Sequence, residues 1–261
     1  MNNTFLHIGH EPPENKPSGK KTIKTVLKDA GRQIFVSMLI LVVAFVAMNW
    51  RALYINVKYK IDVWTGTQQE SSLEEMVSTT PKPKPKLADT DKSTETQVKS
   101  IPDLFLEITP PDTRLVIPRI NQNIPVVRVS SEHLINKDWG ALESEMQEAL
   151  KYGVVHYPGT SLPNQTGNIV ITGHSSYFPW DPGRFKDVFA LLHEVVEGDK
   201  IAMYHNQKKY IYEVSNIEVV LPSNLEVLKQ TPANKLTLIT CTPIGTNLKR
   251  LVVTAELMET Q

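Results

Sequence analysis

Three side chains with complementary chemistry lie next to strand-like runs of this sequence. Cys241, the only cysteine, follows the run KLTLIT, and Arg250 opens the run RLVVTAEL. His174 comes directly after Gly173 and the run NIVIT. A thiolate attacks carbonyl carbons, a histidine transfers protons near neutral pH, and an arginine stabilises an oxyanion while keeping its charge. The three residue types together indicate thiol-based acyl transfer.

The spacing also suggests how two of these side chains meet. Eight residues separate Cys241 from Arg250, so antiparallel pairing of the two runs would place Arg250 beside Cys241. The backbone N–H of Thr242 is then a second candidate donor to an oxyanion. Each residue also has an ordinary explanation, because a lone cysteine is commonly buried and inert, and an arginine at a strand end is commonly solvated.

A second histidine competes with His174 for the proton-transfer role. His156, in VVHYPGT, also stands where a strand gives way to a turn. The Gly-His-Ser-Ser loop favours His174, but local sequence leaves both open. The remaining candidates, His133, His193 and His205, are typical of surface or helix-face residues.

The elements that must position these residues are mostly strands. Short apolar runs separated by turns fill the chain from about residue 101, and some eight strands predict a mainly β domain, a closed or nearly closed barrel. Apolar spacing predicts helices over 141–153 and 184–199. A hairpin is expected around Asn206 and Gln207.

A membrane segment is predicted ahead of this domain. Residues 34–50, IFVSMLILVVAFVAMNW, contain two polar residues, Ser37 and Asn49. Extended to residue 55, a helix would be roughly 33 Å long, enough for a hydrocarbon layer of about 30 Å. Basic residues concentrated before the run place residues 1–33 in the cytoplasm and the rest of the chain outside. An uncleaved signal anchor over 34–55 is therefore predicted.

The segment between anchor and barrel has the composition of a flexible linker. Residues 65–100 are polar and Thr-rich, and the stretch PKPKPK favours extended backbone. The predicted organisation is a tail over 1–33, an anchor over 34–55, an extracellular linker over 56–100 and a catalytic domain over 101–261.

Composition excludes several classes of partner and cofactor. Lysine and arginine balance aspartate and glutamate at 28 each, so no nucleic-acid partner is expected. One cysteine forms neither an intrachain disulfide nor a thiolate zinc cluster. No metal or cofactor is predicted, although the need for calcium is left open.

The motif around Cys241 resembles that of a known family. TLITC followed by an arginine opening the next strand is similar to the Thr-Leu-x-Thr-Cys…Arg signature of the sortases, bacterial membrane-anchored cysteine transpeptidases. The resemblance extends over about 113–258 and includes LVIPRINQNIPVV and GVVHYPGTSLPNQTGNIVITGHSS. It implies the sortase β-barrel of about eight strands, preceded by one transmembrane helix and a linker.

The resemblance also implies roles for individual residues. Cys241 corresponds to the nucleophile, His174 to the acid and base, and Arg250 to the residue that positions substrate and stabilises the oxyanion. Thr240 and Thr242 are expected to contribute to substrate binding. His156 becomes a structural residue, while the loop over 175–185 either contacts substrate or covers the barrel end.

The implied reaction joins two partners at the cell surface. The enzyme would cleave an LPxTG-like C-terminal sorting motif of a secreted protein through a thioacyl intermediate. It would then pass the acyl group to an amine, either a peptidoglycan precursor or a pilin lysine. The alternatives are a membrane-tethered cysteine endopeptidase and a non-catalytic binding domain. The sorting motif, the acceptor, the subclass and the oligomeric state are left open.

Overall fold

The computed structural model describes residues 23–67 and 109–260. The chain divides into two compact units, residues 1–44 and 45–261. The first unit is helical over residues 23–44, and its residues 27–44 are exposed. The second unit contains the end of this helix and a β-barrel.

The N-terminal helix, α1, covers Ile23–Thr65. Among the described residues it is the one helix long and apolar enough to cross a membrane. It starts before the predicted span over 34–55 and continues ten residues into the segment assigned to the linker. The rest of that linker, 68–100, and residues 1–22 of the predicted tail lie outside the described residues.

The predicted barrel of eight strands is confirmed. It closes in the order β1-β2-β3-β4-β7-β8-β6-β5, with β5 pairing back to β1. The strands are β1 Arg114–Ile117, β2 Gln122–Arg128, β3 Val154–His156, β4 Asn168–Thr172, β5 Lys200–His205, β6 Lys208–Val220, β7 Lys235–Thr242 and β8 Lys249–Thr260. Two neighbouring pairs, β2 with β3 and β4 with β7, are parallel, and the others are antiparallel.

The barrel interior is filled by alternate residues of the strands. Leu236 and Leu238 of β7 belong to the main apolar core, whereas Ile239 belongs to a separate cluster with Val170 and Val252. Because successive side chains of a strand point to opposite faces, Cys241 shares the outer face with Ile239. The strand thereby presents the thiol outside the core.

Two short helices follow β2. They are α2, Glu132–Ile135, and α3, Trp139–Ala149. The carboxylate of Asp138 caps α3 by accepting a hydrogen bond from the Ala141 N–H at 3.0 Å. The predicted helix over 141–153 is thus present but ends four residues early. Its buried side, with Leu142 and Met146, packs on Val155 of β3.

The prediction of a helix over 184–199 was wrong. The segment forms turns and one 3₁₀ turn, Leu192–Glu194. The Phe189 N–H donates to the carbonyl of His174 at 3.0 Å instead of to a residue of its own segment. Adjacent residues Val188–Leu192 are all buried, an arrangement that a helix with one apolar face does not allow. Tertiary packing therefore overrides the helical preference of this apolar spacing. The hydrogen bond from Phe189 also connects the segment to the loop that begins at His174.

The predicted hairpin is present. Strands β5 and β6 are joined by Asn206 and Gln207, whose φ angles are 50° and 60°. Positive φ at both central residues is the geometry of a type I′ turn, one of the two common two-residue hairpin turns.

Candidate active site

Parallel pairing of β4 and β7 brings His174 and Cys241 to the same end of the barrel. Thr172 lies opposite Ile239 in the register, so the residues two positions further on are level with each other. The pairing is extended by two hydrogen bonds, from the Gly173 N–H to the Ile239 carbonyl at 3.2 Å and from Thr240 Oγ1 to the Gly173 carbonyl at 2.8 Å. The strand ends therefore form a fixed platform for the imidazole and the thiol.

His174 and Cys241 line one cavity of about 320 Å³. The β7–β8 loop, the loop after His174 and helix α1 provide its other walls. The lining residues are Met48, Asn49, His174, Ser176, Tyr177, Phe178, Cys241, Gly245, Thr246 and Asn247. The thiol is half-buried, so a substrate can reach it from this space.

Antiparallel pairing of β7 and β8 places Arg250 directly opposite Cys241. This is the position that the eight-residue spacing predicted. The guanidinium donates from Nη1 to the carbonyls of Asn247 at 3.0 Å and Lys249 at 3.2 Å. One carbonyl of the β7–β8 loop and one at the start of β8 thus orient the guanidinium, which has five N–H donors in all.

His174 lies in an environment that favours its neutral form. Burial lowers the pKa of its imidazole, an effect that the nearby carboxylates of Asp181 and Glu143 partly oppose. The ring stacks on Tyr177, with centroids 4.3 Å apart and planes inclined by 22°. A neutral imidazole is able to accept the proton of a thiol.

His156 is held away from this cavity. Its Nε2 lies 2.9 Å from the carbonyl of Ser161 and 3.2 Å from Thr160 Oγ1, and its side chain is buried. The structure therefore brings His174, and not His156, to the cavity that contains Cys241.

The two threonines predicted to bind substrate flank Cys241 but do not line the cavity. Thr240 is buried and donates to the Gly173 carbonyl. Its hydroxyl therefore links β7, which carries Cys241, to the residue that precedes His174. Thr242 is the last residue of β7.

The loop over 175–185 contributes aromatic side chains. Tyr177 and Phe178 line the cavity. Phe178 stacks on Trp180 with centroids 5.0 Å apart, and Trp180 is 72% exposed. One part of the loop therefore faces the cavity while another part faces solvent.

Two groups of cavity residues were missed by sequence reasoning. Gly245, Thr246 and Asn247 lie in the β7–β8 loop, and Met48 and Asn49 lie in α1. Asn49 left a signal, because it interrupts an apolar run, but its position in the cavity that contains Cys241 depends on long-range packing. Among residues 27–67 and 109–260, no group of three or more His, Cys, Asp and Glu side chains comes close enough to hold a metal ion.

Gly173 is required by the packing beneath His174. A Cβ at this position would lie 2.7 Å from Cδ2 of Phe189 and 3.0 Å from Cγ1 of Val154. We expect Gly173→Ala to lower the free energy of unfolding by about 1–3 kcal/mol, as overpacking of a core does, and to reduce activity by displacing His174. Thermal melting of the full chain in detergent micelles measures the first effect. Gly140→Ala is the matched control, because its nearest neighbour would be 3.9 Å away; an equal loss in both variants contradicts the prediction.

Buried His156 makes stability depend on pH. Burial lowers the pKa of His156, opposed by the carbonyl of Ser161. The unfolded chain binds the proton near pH 6.5, before the folded chain does, so acidification below that pH favours unfolding. We expect the free energy of unfolding to fall from pH 7 to pH 5, and less steeply in His156→Gln. Urea titrations at both pH values measure the two slopes, and equal slopes would count against the prediction.

The chain is similar to several proteins that are named as sortases. Sortase A of Bacillus anthracis is 26% identical over 151 residues, which are 57% of this chain and 60% of that protein. Sortase D of Bacillus subtilis (strain 168) is 25% identical over 193 residues, which are 72% of this chain and 84% of that protein. A solved structure of Sortase A from Corynebacterium diphtheriae is 30% identical, with a TM-score of 0.46, over 58% of this chain and 62% of that one. The chain thus spans less than two thirds of the first and the last of these relatives.

The family assignment depends on the barrel sequence itself. A family profile described as the Sortase domain matches residues 115–258, which run from β1 to β8. The match contains His174, Cys241 and Arg250 and covers more than half of the 261 residues. The chain therefore belongs to the sortase family.

Proposed function

We propose that this protein is a cysteine transpeptidase that joins secreted proteins to an amine at the cell surface. The observation that carries the proposal is the juxtaposition at the barrel end: Cys241 lies opposite Arg250 in the β7–β8 register and shares a cavity with His174. Nucleophile, acid–base group and cationic donor are the three components that thiol-based acyl transfer needs.

The first half of the reaction forms a thioester. Neutral His174 takes the proton of the Cys241 thiol, and the sulfur attacks a backbone carbonyl carbon of an LPxTG-like sorting motif. The developing oxyanion is stabilised by Arg250, with the Thr242 N–H as a second donor. The C–N bond then breaks, His174 returns the proton to the leaving amine, and the acyl group remains on sulfur.

The second half transfers the acyl group. A primary amine attacks the thioester carbonyl, His174 takes a proton from its nitrogen, and the C–S bond breaks to release the Cys241 thiolate. The His174 imidazolium then returns the proton to the thiolate. The product contains a new amide bond, to a peptidoglycan precursor or to a pilin lysine. Two successive transfers through one covalent intermediate predict ping-pong kinetics.

Helix α1 suits the role of a membrane anchor. It is long and apolar enough to span a bilayer, and basic residues precede its apolar part: Lys16, Lys20, Lys21, Lys24, Lys28 and Arg32. By the positive-inside rule, the barrel is placed on the extracellular side, where secreted substrates are found.

Product analysis tests the proposal. The full chain in detergent micelles is incubated with a library of LPxTG-like peptides, together with triglycine or a lysine-containing acceptor peptide, and products are identified by mass spectrometry. We expect an amide-linked product with at least one donor and acceptor pair. Free acid as the sole product over all acceptors would favour the endopeptidase alternative. An absence of any cleavage would favour the binding-domain alternative.

A further inference from the structure

The end of α1 is built into the barrel unit. Ala52 is 2% exposed, and Ile55 and Tyr59 pack against the main barrel core. The Asn56 side chain donates from Nδ2 to the carbonyl of Ala190 at 3.2 Å. These contacts fix the helix against the segment that also carries Phe189, below His174.

An ion pair holds α1 at Arg51, about one helical turn before Ile55 and nearer to the cavity residues Met48 and Asn49. Arg51 pairs through Nε with Asp187 Oδ2 at 2.5 Å, and the Asp187 side chain is 9% exposed. Burial raises the pKa of Asp187, and Arg51 opposes that rise. The pair therefore compensates a carboxylate that would otherwise be costly to bury.

Asn49 contacts the β7–β8 loop at the edge of the cavity. A Cβ on Gly245 would lie 2.7 Å from Cγ, Oδ1 and Nδ2 of Asn49, and Gly245 has a φ of +79°. A residue with a side chain at 245 would thus be strained and would push the helix away. The Gly245 N–H donates to Ser176 Oγ at 2.9 Å, which connects the loop to the segment after His174.

The Asn49 side chain, which lines the cavity, retains unused hydrogen-bonding capacity. Its Nδ2 donates to the carbonyl of Phe45 at 3.0 Å. No further hydrogen bond of this side chain is present among residues 23–67 and 109–260, so Oδ1 and the second N–H remain available. An acceptor and a donor side by side match a peptide group.

The mechanism assigns this cavity to the amine side of the reaction. His174 lines the cavity, whereas Arg250 does not. Both the leaving amine and the incoming amine exchange a proton with His174, so both have to approach from the side of the imidazole. The carbonyl oxygen has to face Arg250, across the β7–β8 pair.

The lining also suits the reactive form of an amine. Apart from His174 and Cys241 themselves, the cavity residues carry no ionisable carboxylate or ammonium group. An uncharged, half-enclosed site disfavours ammonium relative to the neutral amine. Only the neutral amine has the lone pair that attacks a thioester.

We infer that Met48 and Asn49 of α1 form part of the acceptor site, and that Asn49 positions a peptide-like primary amine for attack on the thioester. The inference extends the transpeptidase proposal and depends on it. Asn49 binds the peptide group next to the amine, while Met48 covers its apolar portion. Residues from 45 onward belong to the barrel unit, so this part of α1 is then a substrate-binding element outside the bilayer, and the membrane span ends before Met48 instead of at residue 55.

Partitioning of the acyl-enzyme tests this inference. The full chain in nanodiscs is first acylated with a cleavable LPxTG-like peptide, and the rate of acyl-enzyme formation is measured by intact mass. Triglycine is then titrated, with Nα-acetyl-lysine amide in a parallel series, and aminolysis is compared with hydrolysis. The two probes distinguish an α-amine acceptor from an ε-amine acceptor.

Asn49→Leu is expected to raise the amine concentration for half-maximal aminolysis about tenfold, since a lost hydrogen bond leaves the partner unpaired. Acyl-enzyme formation should fall by a smaller factor than aminolysis, because the donor peptide is held by its sorting motif as well as at the leaving amine. Asn49→Gln should recover part of the aminolysis, and Val57→Ala, at an exposed position of the same helix, should resemble the wild type.

Two results would overturn the inference alone. One is an unchanged partition in Asn49→Leu, and the other is an equal loss of acylation and aminolysis, which indicates a merely structural residue. A wild-type protein that forms no acyl-enzyme at all would remove the transpeptidase proposal together with this inference, so the two failures are distinguishable.

Discussion

Cys241→Ala is expected to abolish peptide cleavage and transfer, with a loss on the order of 10⁴-fold or more in kcat, as for other residues that act as covalent nucleophiles. The substitution removes the only sulfur able to form the thioester. It should leave the fold intact, because Cys241 lies on the outer face of β7 and outside the apolar core. Activity is measured by release of the peptide downstream of the sorting motif.

Two control measurements distinguish a loss of catalysis in Cys241→Ala from a loss of folding. Melting temperatures of Cys241→Ala and wild type should agree, and both should bind donor peptide with similar affinity. Retention of a substantial part of the cleavage rate in Cys241→Ala would contradict the nucleophile assignment directly.

Arg250→Ala is expected to lower kcat by about 10²–10³-fold, the usual effect of removing one oxyanion donor. The substrate KM should change much less, because the interaction strengthens as charge develops on the carbonyl oxygen. Arg250→Lys should recover little of the loss. A lysine has no planar fork to satisfy the carbonyls of Asn247 and Lys249 and at the same time hold the substrate oxygen.

Lys249→Ala is the control for Arg250. Lys249 is an adjacent, exposed cation, and the bond from Arg250 reaches its backbone carbonyl, which the substitution retains. We expect less than a twofold change in kcat for this variant. A similar loss in both variants would indicate a general effect of positive charge, and a raised KM with unchanged kcat in Arg250→Ala would indicate ground-state binding instead.

The parts of the site predicted from sequence are those governed by short-range connections. Eight residues between Cys241 and Arg250 predict a hairpin, and the β7–β8 register pairs the two residues. The parallel alignment of His174 with Cys241 is a different matter, because β4 and β7 are separated by more than sixty residues. Local sequence alone left His156 open, and only the fold separates the two histidines.

The features that sequence reasoning predicted wrongly or missed also have physical explanations. The segment over 184–199 has helical apolar spacing, but the Phe189 N–H bonds to the carbonyl of His174 and several of its side chains belong to the main barrel core. Asn49 was recognised as a polar interruption of an apolar run, yet its contact with Gly245 depends on how α1 meets a loop almost two hundred residues later. Neither outcome is encoded in a local pattern.

The most direct test of the central claim is the intact mass of the full chain after brief incubation with an LPxTG-like donor peptide. Because the sequence contains a single cysteine, a thiol-directed label reports on Cys241 alone. We predict a mass increase equal to the acyl fragment of the peptide, loss of labelling at Cys241, and removal of the adduct by hydroxylamine or triglycine. Cleavage of the peptide with Cys241 still fully available to the label, or an adduct on another residue, would contradict the account.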